Sequence, residues 1–294
     1  MDKRKNGSRS ATHAGTWYES DGDKLNCQIS EWFDGVKGSV SNIRAIIAPH
    51  AGYRYSGQVA AHSYKHIVPS RYSRIFILGP SHHHSTGLCM IPAVDGCETP
   101  IGNLTICTET VQELQETGIF EVMTKSIDER EHSIEMHLPF IAYTFNPRNC
   151  RIVPIVVGSV PKERQQEYGS IFAKYLADPS TLFIISSDFM HFGDRFGYTY
   201  YNPLHGSVYE SICAIDQLAM RAIQTLQPVK FERYLQKYGN TICGRVPISL
   251  LLHAVASLGP SQYCMQFLNY AHSAKCTSVK ECSVSYVAGA LRLM

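Results

Sequence analysis

A chain of 294 residues is long enough for one large domain or two small ones, each with a sizeable core. Its 44% hydrophobic and 18% charged content excludes a disordered or fibrous polypeptide. The 27 Lys and Arg against 25 Asp and Glu leave a net +2, too even for a nucleic-acid surface or a membrane-adsorbing face.

The opening MDKRKNGSRS is basic and polar with no apolar stretch behind it. It reads as a flexible arm over residues 1–10 rather than a secretory signal, with residues 11–294 forming one domain. Short apolar runs then recur at Ile43–Ala48, Arg74–Leu78, Arg151–Val157 and Leu182–Ile185. Unbroken runs of this length suit strands covered on both faces. Between and after them, Val59–Ile67, Cys107–Thr117, Lys162–Leu176 and Ser207–Leu226 carry helical patterns. Ser283–Leu293 reads as a further strand. No apolar run approaches the ~18 residues of a membrane helix. The longest, Ile248–Leu258, is interrupted by Ser249 and His253. Alternating strand and helix predict an α/β domain whose central mixed or parallel sheet is flanked by helices.

The 10 Cys fall at irregular gaps with no C-x-x-C, so neither a zinc knuckle nor a thioredoxin motif is present. Without a signal or a span, the simplest compartment is the cytosol, where thiols stay reduced.

The residues just past the strand ends are more informative. IRAIIAP runs into His50-Ala51-Gly52-Tyr53, RIFILGP into Ser81-His82-His83-His84, and LFIISS into Asp188-Phe189-Met190-His191. Ligands of open α/β sheets bind beyond the carboxyl ends of the strands. Parallel neighbours would therefore aim these side chains into one crevice. Each residue also has a plainer reading. His50 suits a hydrogen-bonded loop, His83 and His84 suit a solvated one, and Asp188 after two serines suits a helix N-cap. His82, nearest its strand end, is the favoured ligand of the triple-His run. Asp188 could ligate directly or orient a ligand histidine.

Cys243 sits in Gly239-Asn240-Thr241-Ile242-Cys243-Gly244-Arg245, a loop entering an apolar helix. A thiol near a helix N-terminus beside Arg245 is expected to have a lowered pKa; the ordinary alternative is a buried inert thiol. The cluster Glu131-His132-Ser133-Ile134-Glu135-Met136-His137 matches no standard zinc spacing. On one helix, Glu131 and His132 would share a face with Glu135. Phosphate-loop, dinucleotide-binding and serine-hydrolase signatures are missing, which removes support for those activities.

Taken together, HAGTWY (13–18), IIAPHAGYRYSG (46–57), RIFILGPSHH (74–83), EHSIEMHLPF (131–140), SSDFMHFG (186–193), NTICGR (240–245), LNYAHS (268–273) and SVSYVAGAL (283–291) closely resemble the Memo family, mediators of ErbB-receptor-driven cell motility. The resemblance implies a fold similar to class III extradiol dioxygenases. It also implies a metal pocket at His50, His82 and Cys243, with Asp188 and His191 beside it as additional contacts. Copper is the implied metal, with iron as the alternative. Phosphotyrosine segments of receptor tyrosine kinases or their adaptors, together with cytoskeletal regulators, are the implied partners, and Trp17, Tyr55 and Arg195 the matching rim positions. Redox balance and oxidant signalling are the implied cellular setting, in the cytoplasm with the nucleus as a second location. A thiolate in place of the hard carboxylate of extradiol enzymes favours Cu(I) and argues against ring cleavage. The resemblance supports three readings: a copper-holding redox protein with or without a slow oxidase activity, a phosphotyrosine-binding module without catalysis, and an active non-haem dioxygenase.

Overall fold

The computed structural model describes residues 7–145 and 150–294. Five parallel strands form the centre of one mixed sheet, in the spatial order Leu104–Ile106, Arg151–Val157, Arg74–Pro80, Thr181–Ser186 and Ile43–Ala48. Ser283–Leu293 continues the sheet antiparallel to Ile43–Ala48 and also pairs with Tyr263–His272 and His191–Phe192. The α/β architecture read from the alternating pattern is the one observed.

Strand side chains alternate between two helical layers, as the two-residue pleat requires. Ala45, Ile47, Phe76, Leu78, Phe183 and Ile185 enter the core beneath helices Lys162–Ala177, Val208–Gln224, Pro228–Tyr238 and Arg245–Leu258. Ile46, Ile75, Ile77, Leu182 and Ile184 enter the opposite core, against Gly22–Asp34, Tyr53–Tyr64 and Leu138–Thr144. All of these strand residues are buried, and each of the larger side chains among them stabilises the fold by roughly 1.5–3 kcal/mol. Phe76 and Phe183 stack across neighbouring strands with centroids 4.7 Å apart.

Three segments depart from expectation. The helix expected at Val59–Ile67 occupies Tyr53–Tyr64 instead. Its start is set by long-range contacts: the Tyr53 amide donates to the Trp17 carbonyl at 2.9 Å, and Gly57 leaves room for the Trp32 ring. The single helix expected through Glu131 is broken there, because Glu131 is extended (φ −88°, ψ 120°) and caps the short helix His132–Glu135. Its carboxylate accepts from the Ser133 amide at 2.9 Å.

Residues 8 and 9 do not belong to the flexible arm expected over residues 1–10. Ser8–Arg9 pairs in parallel with Gly96–Cys97, and Arg9 is fully buried; residues 1–6 lie outside the described residues. Its guanidinium meets Asp128 at 2.9 Å and Glu135 at 2.6 Å. Two buried carboxylates need a counter-charge, and Arg9 supplies it.

Candidate metal centre

The strands ending at Pro80, Ser186 and Ala48 are adjacent and parallel, so their exits open on one end of the sheet. A cavity of about 640 Å³ lies there. Its walls include His50, His82, Asp188 and His191, and its rim carries Trp17, Tyr55 and Arg195. The structure thus gathers these seven sequence-predicted residues around one space. Cys243 reaches the same point from behind: its Sγ is 3.2 Å from His50 Nε2.

His50 is 2% exposed. Its Nδ1 lies 2.6 Å from Ser186 Oγ, whose single proton goes to the Ser133 carbonyl at 2.7 Å. Ser186 Oγ must therefore accept from Nδ1–H, which leaves the Nε2 lone pair facing Cys243 and the cavity. Network logic assigns this tautomer. Burial, reinforced by the neighbouring His132 and His82, holds the His50 imidazole neutral, well below its usual range. The Asp188 carboxylate accepts from the His50 backbone amide at 2.9 Å. Burial raises Asp188 above the ordinary aspartate range. No helix begins at Asp188, so its N-cap reading does not hold; it positions the His50 loop instead.

His82 is oriented by Glu131. The carboxylate accepts from the His82 amide at 2.6 Å and from its Nδ1–H at 2.9 Å, which frees Nε2. Burial would raise Glu131, but the hydrogen bond from His82 outweighs it and brings the carboxyl down to about 2. His191 donates Nδ1–H to the Phe189 carbonyl at 2.9 Å, an acceptor that can take only a proton, so its Nε2 is likewise free. The Thr241 hydroxyl accepts from the His191 amide at 2.8 Å and donates to the His191 carbonyl at 2.9 Å, tying this turn to the loop of Cys243.

His132 is not among the pocket residues that the sequence motifs imply. In the structure its ring stacks on His82 with centroids 4.4 Å apart. Ligand nitrogens of His50, His82 and His132 lie within 4.8 Å of one another. Burial and the adjacent His82 lower His132 to about 3, so it too is a neutral donor. The dense Glu131–His137 cluster is the sequence signal for this placement, but only the break at Glu131 turns His132 inward. His137 is buried elsewhere, with Nδ1 2.8 Å from the Tyr64 hydroxyl. His83 and His84 stay outside the three-histidine set.

The lowered pKa expected for Cys243 is reversed. Burial and the Asp188 carboxylate push the thiol up, while Arg245 turns away to donate to the Ile242 carbonyl at 3.1 Å. The sulfur is therefore a thiol at rest, and a cation would have to displace the proton.

Donors of this kind fit a soft or borderline metal. The candidate set is imidazole nitrogens plus one sulfur, with the His50 and His82 rings held from their far sides by Ser186 and Glu131. Coordination at roughly 2.0–2.3 Å would require the side chains to close in slightly around an ion.

Comparison with known proteins agrees with the sequence motifs. Protein MEMO1 of Rattus norvegicus is 49% identical over 287 residues, 96% of this chain and 97% of that protein. The Homo sapiens protein of the same name is 48% identical over the same shares. Protein memo-1 homolog of Caenorhabditis elegans is 44% identical over 96% of this chain and 82% of its own length. A crystal structure of an uncharacterized Escherichia coli K12 protein shares the fold alone: TM-score 0.52 at 14% identity, over 82% of this chain and 98% of that one. With residues 9–290 also matching the family profile, the chain belongs to the Memo-like protein family.

Proposed function

We propose that this chain holds a soft redox-active metal, copper as Cu(I) first and iron second, through His50, His82 and Cys243, with His132 as a further donor. The observation that carries the reading is the 3.2 Å approach of Cys243 Sγ to the unprotonated Nε2 of His50. Two residues 193 positions apart meet there, sulfur against a lone pair, beside a second oriented imidazole. When bound, the metal supplies one-electron chemistry. The chain's own residues do the rest: Ser186 and Glu131 fix the imidazoles, Asp188 fixes the His50 backbone, and the thiol yields its proton on binding. Thiolate sulfur favours Cu(I) over hard-oxygen metals.

The test is metal analysis of the purified protein, with Cys243→Ser, His82→Ala and His132→Ala as comparisons. Cys243→Ser and His82→Ala are expected to lose the metal, and His132→Ala to weaken it. Retention by the first two at the parent level overturns the reading.

A second function of the same cavity, as a signalling adaptor that binds phosphotyrosine segments of receptor tyrosine kinases or their adaptors and links them to cytoskeletal regulators and motility, is favoured by its rim. Trp17 (37% exposed), Tyr55 (45% exposed) and the exposed Arg195 present two aromatic faces and a guanidinium at the mouth. Guanidinium forks suit phosphate bidentately. Metal and phosphate in one cavity should compete, and titration of one against the other shows it. Oxygen uptake with a catechol panel and Fe(II), supplied anaerobically, tests the dioxygenase alternative.

A further inference from the structure

Away from the cavity, on the face of Val208–Gln224 that meets Tyr263–His272, a second sulfur–imidazole pair is built into the fold. Cys213 Sγ lies 3.3 Å from His272 Nε2, and both residues are partly exposed. Neither lines the cavity described above. The pair continues inward: His272 Nδ1 lies 3.4 Å from Ser285 Oγ, and the Ser285 hydroxyl in turn favours the ionised form of the buried Asp216 carboxylate. Asp216 is fully buried and also accepts from the Tyr270 hydroxyl at 2.9 Å and from Asn240 Nδ2 at 3.2 Å.

Proton directions in this chain can be assigned. With the Ser285 hydroxyl donating to Asp216, its oxygen accepts from His272 Nδ1–H. The Nε2 lone pair then faces the Cys213 thiol. A nucleophile beside a base, with the base oriented by a third group, is the arrangement that activates weak nucleophiles. Burial keeps the thiol above its ordinary range and holds the imidazole down to about 4, so the pair rests as neutral thiol and neutral imidazole. The proton therefore moves only during reaction, with the carboxylate of Asp216 at the far end of the relay.

We propose that Cys213, with His272 as its base, is a modification site for small hydroperoxides. The sulfur attacks one peroxide oxygen as its proton passes to His272 Nε2. The S–O bond forms, the O–O bond breaks, and the proton on Nε2 is delivered to the departing oxygen. Thiol plus hydroperoxide gives sulfenic acid plus alcohol, or water from hydrogen peroxide: sulfur is oxidised and the peroxide reduced, with no further reactant. Hydroperoxide is the class that uses the whole arrangement, because its leaving oxygen needs the proton that His272 has just taken. Partial burial of the sulfur, walled by Tyr209 and Tyr270 against the His272 ring at centroid distances of 4.8 and 4.7 Å, limits access to small reagents.

The experiment treats the full chain, kept metal-free with a chelator, with limiting hydrogen peroxide and dimedone, and maps every cysteine by mass spectrometry. Cys27, which is exposed, serves as the internal reference. Expected is dimedone capture at Cys213 at least tenfold faster than at Cys27, falling at least tenfold in His272→Gln while Cys27 is unchanged. A Cys213 rate no greater than that of Cys27 in the parent protein overturns the proposal. So does a His272→Gln protein that melts like the parent yet keeps the Cys213 rate. Should that variant not fold, the ratio in the parent decides alone.

Discussion

Glu131 and His82 are joined twice, the carboxylate accepting from the histidine's backbone amide at 2.6 Å and from its ring Nδ1–H at 2.9 Å. One bond sets the position of the loop and the other sets the ring, so the free Nε2 is held toward His50 and His132. A carboxylate behind a ligand imidazole fixes its orientation and raises its basicity.

Glu131→Gln keeps the size and one acceptor oxygen but loses the charge. Metal affinity, read by competition with a chromogenic chelator, is expected to fall about 10–100-fold. The cap on the Ser133 amide should survive, so the melting temperature should move far less than the affinity.

Gly244→Ala tests the seat of Cys243. A Cβ on Gly244 would run into the Ser187 side chain and the Ser186 carbonyl, neither of which can yield without moving the turn that carries Asp188. Overpacking of this kind costs about 1–3 kcal/mol. Denaturant unfolding should show that loss, and the displaced sulfur should lower copper content in metal analysis.

Glu135 governs acid behaviour at the N-terminal clamp. Burial would raise it, but the hydrogen bond from His13 and the charge of Arg9 bring it down to about 2. A folded value below the unfolded one contributes stability above about pH 4.5 that is lost as pH falls toward 2. The linkage is worth about 3 kcal/mol. Glu135→Gln cannot titrate there. The stability gap between parent and variant is therefore expected to be full at pH 6 and to close toward pH 2 in urea melts.

Arg195→Ala addresses the rim. Loss of a guanidinium from a phosphate contact removes about 1.5–3 kcal/mol, roughly a tenfold or greater loss of affinity. Fluorescence polarisation with phosphorylated and unphosphorylated receptor peptides should show that drop for the phosphorylated form alone; equal binding of the two by the parent protein defeats the adaptor reading.

Much of the centre is legible along the chain. Apolar runs without interruption announce strands buried on both faces, and parallel strands must share an exit end, so His50, His82, Asp188 and His191 can be placed together from order alone. Other features are settled only in three dimensions. The expected low pKa of Cys243 rests on Arg245 next to it in sequence, whereas the thiol answers to burial and to Asp188, 55 positions away. His132 enters the centre because Glu131, 49 positions from His82, leaves the helical path to reach it. Arg9 is anchored by acids about 120 residues distant. Local pattern determines which segments are buried, since hydrophobic periodicity is written residue by residue. Charge state, tautomer and ligand geometry depend instead on distances through space and on how much water is excluded, and those exist only after the chain has packed.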